Sequence, residues 1–342
     1  MLVRVSDYFE KFRCLEGACP HTCCAKWEVV IDADTARRYQ AVSGPLGDKL
    51  RAHLTQDDEG DFCFPLSGDR CPFLNEQNLC QIHLTLGEEA TSITCQEHPR
   101  FTEDYGAFRE ITLSASCPEA NRLLLGSETP LTFKEMETDE LAEEGDEWLT
   151  YLLPLRQRML EILTDRSAPL RERLGAFLDL ALEAQYCLDE EQPETLPQLA
   201  VEWACAAHES GTGGERLFPD GLRHLAALEV LEPDWLDLLK QAETAEPVEV
   251  SEALLERIVV YEAFWHLLKA VNDGDLLSRA QLCVVTVLTV KRLAAVCGLG
   301  EALRRFSCEI EHSQENLDAL LEACWQSKTF SLERLHNELS AM

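Results

Sequence analysis

Nine of the fifteen cysteines fall within the first 117 residues, and eight of those nine sit in short, ordered groups. Cys14, Cys19, Cys23 and Cys24 read C-x4-C-x3-C-C. Cys71 and Cys80 read C-x8-C, opening on Cys71-Pro-Phe-Leu74. Cys95 lies in Thr94-Cys-Gln-Glu-His-Pro-Arg100, and Cys117 in Ser116-Cys-Pro-Glu119. Thiolate is the ligand that soft centres select, namely zinc, copper(I) and iron–sulfur clusters. The adjacent pair Cys23-Cys24 resists a packing explanation, because neighbouring residues of a strand face opposite sides. All eight therefore read as metal or cluster ligands. Spacing leaves the metal open. Structural zinc usually takes paired C-x2–4-C hooks and no C-x2-C occurs here, while eight thiols would serve two four-iron clusters or one with bystanders.

The compartment enters the argument because disulfides would use the same residues. Met1 to Tyr8 has no apolar stretch of signal-peptide length, and the longest apolar run, Leu282 to Val290, is far short of the ~20 residues that span a bilayer. The expectation is a cytoplasmic, non-membrane protein in a reducing compartment, where clustered thiols are ligands rather than disulfides. The formal charge is -32, of which residues 1–126 carry -8 and the rest -24. Nucleic-acid binding draws on basic surface and is disfavoured. An acidic body suits a basic, lysine-bearing protein partner.

Composition shifts near residue 126. The expected organisation is a cysteine-rich iron–sulfur or metal domain over 1–126, an acidic linker over 127–147 and a helical domain over 148–342. The fold class is mostly α, a small irregular cysteine-rich domain packed on an all-helical C-terminal body. In the first part, Trp27 to Ile31 and Phe108 to Leu113 read as strands, Asp34 to Tyr39 as a capped helix, and Glu88 to Ser92 as a helix start. Little of it reads as core, so metal–thiolate bonds would supply much of its folding energy. Beyond Trp148, apolar residues recur at three- and four-residue spacing, as at Leu149, Leu152, Met159 and Leu163. Pro154 should bend or start its helix. Ser167-Ala-Pro169 and Ser251 read as helix starts, and a long helix over Ser278 to Val296 stops at Gly298. Seven or eight helices are expected.

Cys63, between two phenylalanines, reads as packing, as do Cys187, Cys205, Cys283, Cys297, Cys308 and Cys324 among apolar helical positions. His98 reads as a ligand, a base or an ordered loop histidine, and Arg100 as a bidentate carboxylate clamp or a surface ion pair. Gly211-Thr-Gly213-Gly214 follows a helical run rather than a strand and reads as a linker. There is no Walker loop, no G-x-S-x-G, no H-E-x-x-H, and no C-x3-C-x2-C of the radical S-adenosylmethionine superfamily.

The ordered set Phe12-Arg-Cys14-x4-Cys19-x3-Cys23-Cys24-x2-Trp27, Cys71-Pro-Phe-Leu-Asn75 with Leu79-Cys80, Leu86-Gly-Glu88, Thr94-Cys95-x2-His98-Pro-Arg100 and Leu113-Ser-x2-Cys117-Pro-Glu119 resembles the flagellin lysine-N-methylase family (FliB). These motifs span about the first 120 residues and overlap a broader group of zinc- or iron-chelating cysteine-cluster proteins. The resemblance implies methyl transfer from S-adenosylmethionine to lysine ε-amines of flagellin, dependent on a 4Fe-4S cluster. An amine attacking a sulfonium methyl needs a neutral lysine, in-line geometry and a dry site, but no redox centre. The cluster therefore either holds the amino and carboxylate groups of the cosubstrate or only scaffolds the fold. Arg100, Glu119 and His98 are the candidates for cosubstrate binding and proton handling. The competing expectations are a zinc- or iron-chelating or redox module without methylase activity, and a scaffold whose helical body binds a partner.

Overall fold

The computed structural model describes residues 1–25, 29–57, 60–204 and 214–342. Trp27, Glu59, Cys205 and Gly211 to Gly213 lie outside the described residues. The chain forms two compact units. One comprises residues 1–10, 102–116 and 121–342, the other residues 11–101 and 117–120.

The larger unit contains a sheet that the expected division at residue 126 does not anticipate. Strand β1 (Leu2–Ser6) buries Val3 and Val5, and is followed in chain order by β2 (Val29–Ile31), β3 (Thr55–Gln56), β4 (Phe62–Phe64), β5 (Arg100–Asp104), β6 (Phe108–Leu113) and β7 (Phe133–Glu137). The four-stranded order is β5-β6-β1-β7. β1 runs parallel to β6, with Leu2 opposite Phe108, and antiparallel to β7, with Ser6 opposite Phe133. The stretch expected as linker thus supplies an edge strand, while 148–342 is all helical among the described residues, and the larger unit joins that body to the sheet. The reason is non-local: β1 satisfies its backbone polar groups only through partners about a hundred residues away. Glu110 on β6, almost fully buried, takes a bidentate pair of bonds at 2.5 and 2.6 Å from Arg156 of the helix Trp148–Thr164.

From Trp148 onward there are ten α-helices among the described residues. The central one, Leu277–Cys297, is buried on nearly every face from Ser278 to Val290 and packs against the helices Leu170–Asp189, Trp235–Thr244, Glu252–His266, Leu299–Phe306 and Gln314–Gln326. It is long and apolar enough to cross a membrane, yet 72% of that window is buried within the fold, as befits a core helix. Gly298 ends it at φ +81°, a conformation L side chains rarely adopt. Pro154 sits inside its helix. The carbonyl it leaves without an N–H partner is that of Thr150, which is exposed and open to water.

The smaller unit has a three-stranded sheet, β2-β4-β3, in which Val29 faces Phe64 and Ile31 faces Phe62. The helix Ala33–Ala41 starts at Asp32, whose carboxylate accepts from the Thr35 amide at 2.8 Å. A core of Val29, Ile31, Ala36, Tyr39, Leu50, Phe64, Phe73 and Ile82 forms between them, with Phe64 and Phe73 ring centroids 4.6 Å apart. So this unit does possess an apolar core, small as it is. Cys71 and Cys80 pack against it.

Candidate metal centre

All eight clustered cysteines belong to the smaller unit, seven within 11–101 and Cys117 within 117–120. Tight local turns aim them. The Cys71 amide donates to the Cys24 carbonyl at 2.8 Å, which laces the first group to the second. The turn between Cys14 and Cys19 presses on the turn before Cys80. A Cβ on Gly17 would stand 2.6 Å from the Gln77 carbonyl oxygen, so only glycine permits that approach. Asn75 shapes the C-x8-C loop by accepting the amides of Gln77 and Leu79, each at 2.9 Å. Lys49 clamps the same loop through the Pro72 carbonyl at 2.6 Å and Gln81 Oε1 at 2.9 Å. Cys95 lies in the short helix Ile93–Glu97, whose first turn is capped by Ser92 and tied by the Ile93 amide to Asp32.

Several sulfurs receive backbone N–H groups: Cys71 from Phe73, Cys80 from Ile82 and His83, and Cys117 from Glu119 and Ala120. Such bonds favour thiolate and are among the levers that tune cysteine-bound clusters. Burial outweighs them in the free thiols. It pushes Cys71 up to about 12 and raises Cys80 and Cys117. Cys24 goes the other way, down to about 7, because the Cys23 thiol donates to its sulfur, and Cys23 is raised by the same bond. Electrostatic contacts link Cys19 with Cys14 and Cys24, Cys117 with Cys14 and Cys19, and Cys24 with Cys71, Cys80 and Cys95.

The donor chemistry fits a thiophilic group. Zinc and an iron–sulfur cluster both draw on such thiolates.

Of the other candidates, Arg100 lies with its guanidinium carbon 5.4 Å from the Phe12 ring centroid. His98 closes the Ile93–Glu97 helix through its amide. Glu119 is buried in the first turn of the helix Pro118–Leu124, its amide on the Cys117 sulfur. Cys63 is buried in β4, and Cys283, Cys308 and Cys324 are buried in the helical unit. The structure also gathers residues that sequence reasoning passed over. Glu262, His266 and Glu311 bring their ligand atoms within 4.8 Å of one another inside the larger unit. The available signal was Glu262-x3-His266, a helical one-turn spacing hidden in an apolar stretch. The same unit bears an open cleft of about 540 Å³ lined by Asp189, Asp318, Glu322 and Trp325 among others.

A family model described as FliB lysine N-methylase C-terminal domain matches residues 156–336, just over half of the chain. A lysine-N-methylase of Salmonella typhimurium is 28% identical over 138 residues, 37% of this chain and 33% of that protein. A flagellar biosynthetic protein FliU of Salmonella muenchen is 29% identical over 134 residues, 36% of this chain and 77% of that protein. A lysine-N-methylase of Salmonella choleraesuis is 29% identical over 134 residues, 36% and 32% of the two chains. The chain thus matches about a third of the length of the two lysine-N-methylases. No solved structure matches it. The match over 156–336, joined to the ordered cysteine motifs before it, places this chain in the FliB lysine N-methylase family.

Proposed function

We propose that this chain methylates lysine ε-amines of a protein, with S-adenosylmethionine as donor and flagellin as the acceptor. Its cofactor in this reading is a 4Fe-4S cluster held by thiols of the set Cys14, Cys19, Cys23, Cys24, Cys71, Cys80, Cys95 and Cys117. The reaction takes place in the cytoplasm, where the thiols stay reduced. The observation that carries the proposal is family membership over residues 156–336. The names of the relatives, two lysine-N-methylases and a flagellar biosynthetic protein, support the reaction and the acceptor. The acidic surface of the helical unit supports a lysine-bearing partner, steered in by charge and less so at high salt.

When bound, the cluster supplies an iron able to take the donor's amino and carboxylate groups, or a covalent scaffold for the unit. The chain's own residues do the rest. Arg100 binds a carboxylate through its guanidinium fork. Glu119, buried, takes the cationic amino group of the donor, and His98 accepts the proton that the acceptor ammonium gives up. The neutral amine attacks the sulfonium methyl in line. The new N–C bond forms as the C–S bond breaks, S-adenosylhomocysteine leaves, and the product amine carries the positive charge as a methylammonium, so that the proton passed to His98 is the one released overall.

The test is incubation of anaerobically purified, iron-replete protein with flagellin and S-adenosylmethionine, followed by mass spectrometry for methyl groups on lysine. S-adenosylhomocysteine as coproduct reports direct displacement, and 5′-deoxyadenosine reports reductive cleavage. Absence of methylation together with absence of donor binding overturns the proposal in favour of a metal-chelating module. Methylation of another protein but not flagellin changes the acceptor alone.

A further inference from the structure

The helix Glu252–His266 carries Glu262 and His266 one turn apart, on one face. Across from them, Ser307–Glu311 forms a π-helical turn, a widened geometry found disproportionately at functional sites. It brings Glu311 to the same point. All three side chains are more than nine-tenths buried, with exposures of 1%, 2% and 8%. Glu262 Oε1, His266 Nε2 and Glu311 Oε1 find no hydrogen-bond partner outside the group, and the two carboxyls meet each other directly. His266 Nε2 stands 3.4 Å from Glu262 Oε2.

Two buried carboxylates in contact cannot both carry charge without a counter-charge. Among the described residues no lysine or arginine is ion-paired with either carboxylate, and the two cations that act on the cluster through space, Lys269 and Arg279, are bound elsewhere. Lys269 is engaged by Glu103 at 2.7 Å and Arg279 by Asp273 at 2.8 Å. A set of acceptor atoms converging on one point accommodates either shared protons or a cation. The surroundings hold Glu311 in place on its far oxygen. Ser307 donates to its Oε2 and Tyr261 reaches the same atom at 3.4 Å. Ser307 in turn joins Ser114 at 3.2 Å, Ser114 joins Ser116 at 2.8 Å, and Ser116 joins His312 Nε2 at 2.6 Å. Such outer partners orient ligands at metal sites.

We infer that Glu262, His266 and Glu311 form a second metal site, separate from the cysteines, which takes one divalent first-row cation such as manganese(II), iron(II) or zinc. Two carboxylates neutralise a divalent charge, and the mixed oxygen–nitrogen set suits these ions where the cysteines select a softer centre. The site lies wholly within the larger unit and does not depend on the methylase reading.

The full chain, expressed in medium supplemented with manganese, iron and zinc, is compared with Glu311→Gln and His266→Gln by elemental analysis. The wild type should retain about one more divalent ion per chain than either folded variant, with the cysteine-bound complement unchanged. Equal metal content in wild type and folded variants overturns the site and leaves a proton-sharing acid pair. Manganese-loaded wild type gives a reading that needs no variant. Pulsed electron paramagnetic resonance should detect the nitrogen of one imidazole on the bound ion, and its absence contradicts the assignment.

Discussion

The two units solve the same problem with different means. In the larger one, the helix Leu277–Cys297 is sheathed by six other α-helices among the described residues, and buried charges are paired within the packing: Glu110 with Arg156, Glu232 with Arg304, and Glu256 with Arg173. In the smaller one, eight buried residues make up the core, Cys71 and Cys80 pack against it, and the other six clustered thiols belong to the same unit. A core of that size is marginal for about ninety residues. Apolar burial carries the first unit, and in the proposed reading metal–thiolate bonds supply much of the folding energy of the second.

The largest effect that would sharpen this contrast is loss of a ligand thiol. Cys24→Ser, or Cys23→Ser, should lower bound iron and destabilise the smaller unit by several kcal/mol, on the order expected when metal binding supplies folding energy. Iron analysis with limited proteolysis should show cleavage confined to 11–101. Unchanged iron in both variants would remove the pair from the ligand set. In the larger unit, Glu256→Ala should cost about 3–5 kcal/mol, because it strands the buried Arg173 and also removes the bidentate partner of Arg166. Denaturant unfolding followed by helical circular dichroism reads this directly. Phe73→Ala should cost about 3 kcal/mol by emptying the small core. If its cleavage pattern spread into the larger unit, the two would not be independently stabilised.

The smallest effect concerns acid. Burial works to raise Glu301, yet hydrogen bonds from Arg304 and Arg305 outweigh it and hold the carboxyl down to about 2. A carboxylate lowered in the folded state contributes stability that is present above its unfolded value near 4.5 and is lost as pH falls toward 2. Since Glu301 is part-exposed, that contribution is about 1–2 kcal/mol. Glu301→Gln should flatten the corresponding stretch of the acid unfolding curve.

Much of this was readable in the chain, and what was not has physical causes. The thiol groups stood out because ligand spacing is local, and the helix ending at Gly298 stood out because helical periodicity is local too. Ser92 rather than Glu88 caps a helix, since a 3-10 turn over Glu88–Ala90 intervenes. Phe108 to Leu113 was legible as a strand, but the sheet it forms with β1 and β7 escaped because the register joins segments a hundred residues or more apart. The small core escaped because its members are single apolar residues scattered from Val29 to Ile82. Glu262, His266 and Glu311 escaped for both reasons: a polar pair inside an apolar helix, completed by a residue from a distant π turn. The cysteine motifs pointed to the family from the first 120 residues, whereas the family model lies on 156–336, where periodicity alone showed only helices.

The most direct test of the contrast between the units is hydrogen exchange on the full chain, measured with its native metal complement and again after anaerobic iron removal. The account predicts that amides of 29–31, 62–64 and 71–97 lose protection while those of the helix 277–297 keep theirs. Protection unchanged in the smaller unit, or lost equally in both, would contradict it.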